Sequence, residues 1–393
     1  MTVPESTTRT NRIIGLFPEL LGVGGVQEAG RLTAAALQEI ALRHGWSTDF
    51  LGLNDPRGSR SLDVDSRTIQ LRGFARGKLS FLLFGARSSG KNGRCIVLAA
   101  HPNLAVVAAW IQRIFPRART IVMAHGIEVW TPLSPFRRRA LLRTNLVLAP
   151  SSDTARKLTE VQGVPQNRVR RLPWPINPGF VRLADSLGSL TAPAGFPEGR
   201  IVLTVGRWAA SERYKGADEA IRAVAQLRSA FPDIHLVAVG SGDDLPRLRA
   251  LAAELQIRDR VHFLEQLSRE EIAACYARAD LFALPSTGEG FGLVFLEAMA
   301  FSKPVVGAAC GGTTDVVEDG VNGLLVPPGD AGALARALDR LLRDESLRTK
   351  LGARGAEIVR RKYQFGVFQA GLETILGELN SGLVDGGAAR KSV

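Results

Sequence analysis

Short runs of apolar, mostly β-branched residues alternate along this chain with longer segments whose apolar residues recur every three to four positions. The longer segments predict helices, for example at Gln27–Arg43, Ala217–Ala230, Leu245–Leu255 and Gly366–Leu379. Strands that alternate with helices are typical of parallel sheets covered by helices. The pattern therefore predicts an α/β protein. The predicted strands are Arg12–Phe17, Cys95–Ala99, Thr120–Met123, Leu146–Ala149, Ile201–Val205, His235–Val239, Val261–Leu264, Leu281–Leu284 and Pro304–Gly307.

A segment rich in Gly, Pro, Ala and Ser interrupts this pattern before residue 200 and predicts a linker. A chain of 393 residues also exceeds one ordinary hydrophobic core and favours about two domains. We expect two doubly wound domains of similar size with a cleft between them. The predicted segments are a disordered N-terminus at 1–11, a first domain at 12–185, a linker at 186–199, a second domain at 200–365, a C-terminal helix at 366–380 that could pack on the first domain, and a disordered tail at 381–393.

The composition is that of a soluble globular protein, with 45% hydrophobic and 22% charged residues. Three widely spaced cysteines offer neither a disulfide framework nor zinc-site spacing, which favours a cytoplasmic location. No apolar run reaches the roughly 18 residues needed to span a bilayer. The polar segment Met1–Asn11 lacks the apolar core of a signal peptide, so none is expected.

The net charge of +12 is concentrated in the first half of the chain. Residues 1–185 hold 26 Lys and Arg against 12 Asp and Glu, whereas residues 186–393 hold 24 against 26. Either these are ordinary solvated arginines, or they form a surface that docks on anionic lipid or an anionic acceptor. No nucleic-acid motif accompanies the charge, so nucleic acid is not expected as a partner. The cluster with the most charge for membrane or acceptor contact is Arg137, Arg138, Arg139 and Arg143.

Two candidate sites follow predicted strands of the first half. Gly22, Gly24 and Gly25 lie between a strand and a helix, where glycine lets the backbone approach a phosphate and the helix N-terminus attracts the anion. The spacing is not G-x-G-x-x-G, which argues against a nicotinamide dehydrogenase. His125, followed by Gly126, ends another strand and could polarise a sugar hydroxyl. A structural, hydrogen-bonded histidine is the alternative interpretation.

Two further candidate sites follow strands of the second half. Arg207 and Lys215 lie on a glycine-flanked loop, where two cations could neutralise a diphosphate leaving group; Arg213 on the same loop is a bystander. In the stretch E-G-F-G-L-V-F-L-E, Glu289 precedes a glycine-bearing turn, and Glu297 falls one to two turns into the next helix. Such a turn suits a ligand with both phosphates and hydroxyls. The alternatives are an ordinary surface loop and solvent-facing glutamates.

Taken in order, these motifs resemble the retaining glycosyltransferases of family four, also called glycosyl transferases group 1. The resemblance spans roughly residues 13 to 380 and is most specific in the second half. It implies the GT-B fold, in which two Rossmann-like domains face each other across a cleft. It also implies that the first domain recognises the acceptor and the second binds the nucleotide-sugar donor. The motifs that carry it are Gly24-Gly25, His125-Gly126, Arg207…Lys215-Gly216, Pro285-Ser286, Glu289-Gly290-Phe291-Gly292…Glu297-Ala298 and Gly311-Gly312.

The same resemblance implies a role for each site residue. His125 and Glu289 would contact the donor sugar near the reacting centre, and Glu297 would bind the ribose hydroxyls. Arg207 and Lys215 would hold the diphosphate. Retention would proceed without a metal or other cofactor. Backbone N–H groups would help to bind the donor at Gly24 and Gly25 and along Gly290, Phe291, Gly292 and Leu293. The residues near the nucleotide base would be Gly242, Glu265 and Leu267.

The sequence departs from the family pattern at several positions. Glu265 stands where glycine is usual, which leaves the base open; Phe301-Ser302 replaces a cysteine-glycine-like pair, and Asp315 replaces a glutamate. Asp63-Val64-Asp65 matches the Asp-x-Asp string of metal-dependent transferases of the other major fold. Because this segment is predicted to be a loop or helix start, we expect it to be a plain surface feature, as at Asp243-Asp244.

The predicted activity is transfer of a hexose from a GDP-mannose- or UDP-glucose-type donor to a saccharide or lipid-linked saccharide. Such a reaction would serve cell-envelope polysaccharide or glycolipid synthesis at the inner face of the plasma membrane. The alternatives are a GT-B-like epimerase or phosphorylase, and a non-catalytic scaffold subunit that binds a sugar nucleotide. The intact set of His125, Arg207, Lys215, Glu289 and Glu297 argues against a degenerate scaffold.

Overall fold

The computed structural model describes residues 12–89, 95–186, 188 and 190–380, so the predicted disordered ends, 1–11 and 381–393, lie outside the described residues. The chain divides into two compact units. Unit 1 comprises the described residues up to Pro175 together with those from Phe365 onward, and unit 2 comprises Ile176–Gln364. The division falls ahead of the predicted linker because the helix Pro178–Asp185 packs against helices of unit 2.

The elements follow one another in a strand–helix alternation. The strands are β1 Arg12–Phe17, β2 Ser47–Gly52, β3 Gly58–Val64, β4 Arg67–Gly73, β5 Cys95–Ala99, β6 Arg119–Met123, β7 Leu146–Ala149, β8 Val169–Arg171, β9 Arg200–Val205, β10 Ile234–Val239, β11 Val261–Leu264, β12 Leu281–Leu284, β13 Val305–Ala308 and β14 Gly323–Val326. The helices are α1 Gly25–Arg43, α2 Lys78–Ser88, α3 Ala105–Ile114, α4 Pro135–Leu141, α5 Ser152–Glu160, α6 Pro178–Asp185, α7 Ala217–Leu227, α8 Leu245–Glu254, α9 Arg269–Arg278, α10 Leu293–Ala300, α11 Thr313–Val316, α12 Ala331–Arg343, α13 Glu345–Lys362 and α14 Phe365–Asn380.

Unit 1 is built on an eight-stranded sheet in the order β3-β4-β2-β1-β5-β6-β7-β8. All neighbouring strands are parallel except β3, which pairs antiparallel with β4. After Arg12 at the start of β1 and Arg119 and Thr120 at the start of β6, the central strands are apolar and buried, as expected for a parallel sheet covered on both faces. The last helix, α14, packs against α1, where Glu373 forms an ion pair with Arg43 and a hydrogen bond with His44.

Unit 2 is built on a six-stranded, fully parallel sheet in the order β11-β10-β9-β12-β13-β14. Apolar faces of α7, α8 and α12 cover one side of it and form a continuous core with the strands. Both sheets are thus doubly wound, which confirms the predicted fold class. All nine predicted strands are present, with ends that differ from the prediction by no more than one residue.

The sequence patterns missed β2, β8, β14 and the β3–β4 hairpin. The hairpin escaped detection because β3 is polar and almost wholly exposed, and because its turn residues, Asp65 and Ser66, are not glycine although both have positive φ. The predicted loop or helix start at Asp63–Asp65 is therefore wrong: the segment is the end of an edge strand and a tight turn. Asp63 accepts a hydrogen bond from Thr68, and Asp65 forms an ion pair with Arg67.

Candidate functional site

In each sheet, some of the predicted site residues follow strands at the point where the strand order reverses, whereas His125 follows β6, one strand further along the sheet of unit 1. In unit 1, β1 has β2 on one side and β5 on the other, so Gly24 follows the strand at the reversal. In unit 2, β9 lies between β10 and β12, and the loops after β9 and β12 carry Arg207 and Glu289. Crevices at such reversal points, outside the carboxyl ends of the strands, are where doubly wound sheets bind ligands.

The loop after β9 is fixed by a glycine against the end of β12. After a 3₁₀ segment at Ala210–Lys215, Gly216 adopts a left-handed conformation with φ of 78° and directly precedes α7 as its N-cap. A Cβ atom on Gly216 would lie 2.6 Å from the carbonyl oxygen of Pro285, so only glycine fits. The amide of Thr287 also donates to the carbonyl of Tyr214 at 2.7 Å. Lys215 is thereby held beside the Glu289 loop.

Cationic and anionic side chains from the two loops converge. The Nζ atom of Lys215 lies 3.7 Å from Oε2 of Glu289 and 4.0 Å from Oε2 of Glu212. Glu212 also forms an ion pair with Arg207, whose own side chain is 71% exposed. The structure thus brings Lys215 close to Glu289, which is far from it in sequence, and it adds Glu212, a carboxylate placed between Lys215 and Arg207. Its position in the sequence, between two predicted phosphate-binding cations, was the only available signal for it.

Arg213 has a different environment from its neighbours on the loop. Its guanidinium donates to Asp244, whose carboxylate also accepts hydrogen bonds from Arg247. The hydrogen bonds from Arg247 and Arg213 hold the pKa of Asp244 below its usual value, with that from Arg247 the larger cause. Arg213 therefore belongs to a structural ion-pair network, in agreement with its predicted status as a bystander.

Tight backbone packing defines the loop from Glu289 to Gly292. The amide of Gly312 donates to the carbonyl of Glu289 at 2.6 Å, and a Cβ atom on Gly312 would lie 2.3 Å from the carbonyl of Gly290. Gly292 has a φ of 92° and directly precedes α10. The first amides of α10 point out of its N-terminus, where an anion is favoured. The Phe291 side chain is buried against Tyr363, so any contribution of Phe291 to ligand binding falls to its backbone.

Two polar groups flank the carboxylates of this site. The pKa of Tyr214 is raised to about 12, mainly by burial and to a lesser extent by the neighbouring Glu289 carboxylate, while Arg207 opposes the shift. Tyr214 is therefore a neutral phenol at physiological pH. Glu297, in α10 as predicted, accepts a hydrogen bond from the buried hydroxyl of Tyr276 at 2.8 Å. The sequence analysis identified neither tyrosine.

In unit 1, the glycine loop after β1 is exposed and leads directly into α1. Gly24 has a φ of 142°, and α1 begins at Gly25, two residues earlier than predicted. The carboxylate of Asp55, which is fully buried, accepts hydrogen bonds from the amides of Leu20 and Leu21 and so anchors the start of the loop. Asp55 lies beyond β2, one of the missed strands, so no local pattern linked it to the loop.

His125 is held by a backbone contact and by two neighbouring rings. Its Nε2 atom lies 2.7 Å from the carbonyl oxygen of Ala100. Because a carbonyl only accepts, Nε2 carries the hydrogen, and Nδ1 bears the lone pair in the neutral ring. The ring stacks on that of His101 at a centroid distance of 5.9 Å, and the ring of Trp174 lies tilted against it at 5.4 Å. Burial lowers the pKa of His101 to about 4, so this second histidine is neutral.

The predicted base loop carries its own ion pair. Glu265 accepts a hydrogen bond from Arg249 of α8 at 3.1 Å, so its charge is balanced by a neighbouring helix. Gly242 lies tightly against Trp208, whose carbonyl oxygen would be 2.1 Å from an added Cβ atom. Leu267, shortly after Glu265 in the chain, is only partly buried. No contact joins these residues to the Lys215–Glu289 cluster among the interactions recorded for the described residues, so their role near a base stays a prediction.

The predicted basic cluster lies on α4 and just beyond it. Arg137, Arg139 and Arg143 are exposed, and so is Phe136, with 71% of its surface accessible. Arg138 differs because its Nε donates to the carbonyl of Gln162 at 2.8 Å. Whether these exposed cations and this ring contact a membrane or an acceptor stays a prediction. No helix within the described residues is long and apolar enough to cross a membrane.

Comparison with known proteins places both halves of the chain in one family. A model described as "Glycosyl transferases group 1" matches residues 192–358, and one described as "Glycosyltransferase Family 4" matches residues 38–180. The HepE protein of Anabaena, solved in complex with UDP, superposes with a TM-score of 0.69 over 93% of this chain and all of that chain, at 22% identity. That likeness confirms the GT-B fold.

Curated relatives are similar over shorter stretches. A phosphatidyl-myo-inositol mannosyltransferase of Mycobacterium leprae is 41% identical over 45% of this chain and 46% of its own length. A D-inositol 3-phosphate glycosyltransferase of Mycobacterium marinum is 31% identical over 75% of this chain and 64% of its own length. The first relatives are matched over about half their length. Because two adjoining family models and the fold agree across most of the sequence, the chain belongs to glycosyltransferase family 4, the group 1 glycosyl transferases.

Proposed function

We propose that this protein transfers a hexose from a nucleotide-diphosphate sugar to a saccharide or lipid-linked saccharide, with retention of anomeric configuration and without a metal. The observation that carries the proposal is the cluster in which Lys215 lies 3.7 Å from Glu289. It joins a cation suited to phosphate and a carboxylate suited to sugar hydroxyls at the strand reversal of one sheet. A family 4 glycosyltransferase requires both groups at such a place.

The proposed reaction breaks the bond between the anomeric carbon and the diphosphate oxygen. The acceptor hydroxyl attacks on the same face, and its proton passes to the departing diphosphate, so no external acid or metal is needed. Negative charge grows on the diphosphate as the bond breaks. Arg207, Lys215 and the N-terminus of α10 would stabilise that charge more in the transition state than in the ground state.

The remaining predicted residues complete this proposal. Glu297 would accept hydrogen bonds from the ribose hydroxyls, since carboxylates pair well with vicinal hydroxyl donors. In unit 1, the exposed amides at Gly24 and Gly25 would bind phosphate oxygens, and the Nδ1 atom of His125 would accept a hydrogen bond from a sugar hydroxyl. Glu212 would release Arg207 and Lys215 when phosphate oxygens replace its carboxylate.

The names of related proteins favour particular donors and acceptors. HepE was solved with UDP, and the Mycobacterium leprae relative is a mannosyltransferase acting on phosphatidyl-myo-inositol by its name. Both UDP-glucose- and GDP-mannose-type donors therefore remain within the proposal. A lipid-linked acceptor would agree with the exposed cations of unit 1 and with a place at the inner face of the plasma membrane.

Labelled UDP- and GDP-hexoses, each with and without a lipid-linked saccharide acceptor, test the proposed activity. We expect label to enter the acceptor with one donor type, and the rate to be unchanged when EDTA is present. Conversion of the donor sugar without an acceptor would indicate an epimerase. Phosphate-dependent release of a sugar 1-phosphate would indicate a phosphorylase, and binding without turnover would indicate a scaffold. A strict need for Mg²⁺ or Mn²⁺ would contradict the metal-free mechanism.

We further propose that α4 docks on an anionic membrane. Replacing Arg137 and Arg139 with alanine should weaken binding to vesicles of phosphatidylglycerol and phosphatidylcholine by about thirtyfold at low salt, because each cation contributes about 1 kcal/mol near such a surface. Co-sedimentation measures this, and added salt should weaken wild-type binding.

A double variant of unit 2, Arg336→Ala with Arg354→Ala, loses the same net charge and serves as the matched control. Both of these arginines lie on helices outside α4. We expect the control to bind vesicles as the wild type does. Equal losses in the two double variants would show that only net charge matters, and would overturn the assignment to α4.

A further inference from the structure

One tyrosine of unit 2 combines complete burial with a polar contact to the predicted donor site. Tyr276 in α9 is fully buried, yet its hydroxyl group lies 2.8 Å from Oε2 of Glu297 in α10. Its other polar neighbour, the carbonyl oxygen of Val294, is 3.5 Å away, at the limit of a hydrogen bond. The carboxylate of Glu297 is therefore the main partner of this hydroxyl, and Glu297 itself is only half-buried.

The tyrosine ring is enclosed by aromatic side chains from three other elements. Phe301 stacks on it with ring centres 5.8 Å apart and planes 17° apart. Phe282 of β12 lies 5.9 Å away, and Phe180 of α6 meets it edge-on at 6.2 Å. A ring packed on several sides cannot change rotamer without opening the core. The position of the hydroxyl is thus set by the core, and Phe301 is one of the residues at which this chain departs from the family pattern.

The protonation states of Tyr276 and Glu297 determine which group donates the hydrogen bond and which accepts it. Burial raises the pKa of Tyr276 well above its ordinary value, and the Glu297 carboxylate raises it further. The phenol therefore stays protonated and donates its hydrogen to Glu297. A hydrogen bond from a fixed donor to a carboxylate is stronger than one between neutral groups and restricts the carboxylate to one rotamer.

We propose that Tyr276 is a positioning residue that orients the Glu297 carboxylate for recognition of the ribose hydroxyls of the donor nucleotide. The proposal rests on the role assigned to Glu297 under the proposed function. Tyr276 would not touch the nucleotide. Because the aromatic core fixes the Tyr276 hydroxyl, the hydrogen bond from that hydroxyl would hold the Glu297 carboxylate in one orientation, as supporting residues do in precise binding sites.

The test compares the affinity for a nucleoside diphosphate with that for its 2′,3′-dideoxy analogue. The probe is UDP or GDP, whichever binds the wild type more tightly, and calorimetry gives the two dissociation constants. Their ratio is the ribose preference. Tyr276→Phe keeps the ring and removes only the hydroxyl. We expect it to reduce the ribose preference about five- to tenfold while barely changing affinity for the dideoxy analogue.

Tyr363→Phe is the matched control, since it removes another buried hydroxyl of unit 2, one that donates to the carbonyl of Asp315 at 3.1 Å. This control should keep the wild-type ribose preference even if it lowers the melting temperature. A comparable drop in Tyr276→Phe and Tyr363→Phe would mean that the loss is a general effect of destabilisation, and would overturn the proposal.

Glu297→Ala separates failure of this proposal from failure of the proposed function. If Glu297→Ala loses the ribose preference and Tyr276→Phe keeps it, Tyr276 is not a positioning residue, although the role of Glu297 stands. If Glu297→Ala itself keeps the preference, the ribose role of Glu297 is wrong and the proposal falls with it. Should Tyr276→Phe not fold, Phe301→Leu replaces it: this variant removes the ring stacked on Tyr276, and an unchanged preference would refute the proposal.

Discussion

Replacing Glu289 with alanine is expected to abolish hexose transfer, with a loss of at least about a thousandfold in kcat/KM. The carboxylate follows β12 and lies 3.7 Å from Lys215, where it would accept hydrogen bonds from the donor sugar. The fold should survive, because the hydrogen bond that anchors this loop runs from Gly312 to the backbone carbonyl of residue 289 and does not involve the side chain.

Glu289→Gln refines this result, because the amide oxygen still accepts hydrogen bonds but carries no charge. We expect it to retain more activity than the alanine variant, since hydrogen bonds to a charged acceptor are the stronger ones. The exposed residue Glu254, at the end of α8, provides the control variant Glu254→Ala. Transfer rates and melting curves are measured for all three variants. Undiminished turnover in a folded Glu289→Ala variant would contradict the role of Glu289.

Replacing Lys215 with alanine is expected to lower kcat/KM for the donor by a factor of about 10² to 10³. Two effects combine. The diphosphate loses a cation, and the carboxylates of Glu212 and Glu289, 4.0 and 3.7 Å from Nζ in the wild type, lose the charge that offsets both of them. Their negative potential would then repel the donor. Binding of UDP or GDP, measured by calorimetry, should weaken in parallel with the rate.

Arg213→Ala is the matched control for Lys215→Ala, because Arg213 lies on the same loop but pairs with Asp244. It removes one positive charge from the loop without exposing the two carboxylates. Donor kinetics should change little in this control. Adding Glu212→Ala to Lys215→Ala should recover part of the lost binding, since one repelling charge is removed and the two sites are coupled. If Lys215→Ala and Arg213→Ala behave alike, Lys215 has no special role in diphosphate binding.

Most of the strands that the sequence predicted have side chains that are buried on both faces. β12 and β13, for example, consist almost entirely of apolar residues because helices cover their sheet, and a continuous apolar run is visible without any neighbour. The missed hairpin is the opposite case. β4 alternates buried and exposed residues, which is a weak period-2 signal, and β3 is stabilised by pairing with β4 rather than by burial.

Local sequence signals also explain which residues of the candidate site the sequence predicted and which it missed. Each predicted site residue stands in a short motif directly after a strand or at a helix start, so its position in the topology follows from the chain order alone. These residues are Gly24, His125, Arg207, Lys215, Glu289 and Glu297. Glu212 was missed although it lies between two predicted cations, because no local pattern distinguishes a carboxylate that pairs with them from one in solvent. Asp55 and Tyr276 act on residues far from them in sequence, and no local pattern encodes such a contact.

By itself, the sequence determined the fold class, the family and the residues of the predicted donor site, because apolar periodicity and short glycine-bearing motifs are local properties of the chain. The tertiary structure decided which charged side chains form ion pairs and which buried groups form hydrogen bonds with them. It placed Lys215 between Glu212 and Glu289, paired Arg213 with Asp244, and set the Tyr276 hydroxyl against Glu297. The physical reason is that ion pairs and buried hydrogen bonds depend on distances of a few ångströms between side chains, which are fixed only when strands and helices pack together.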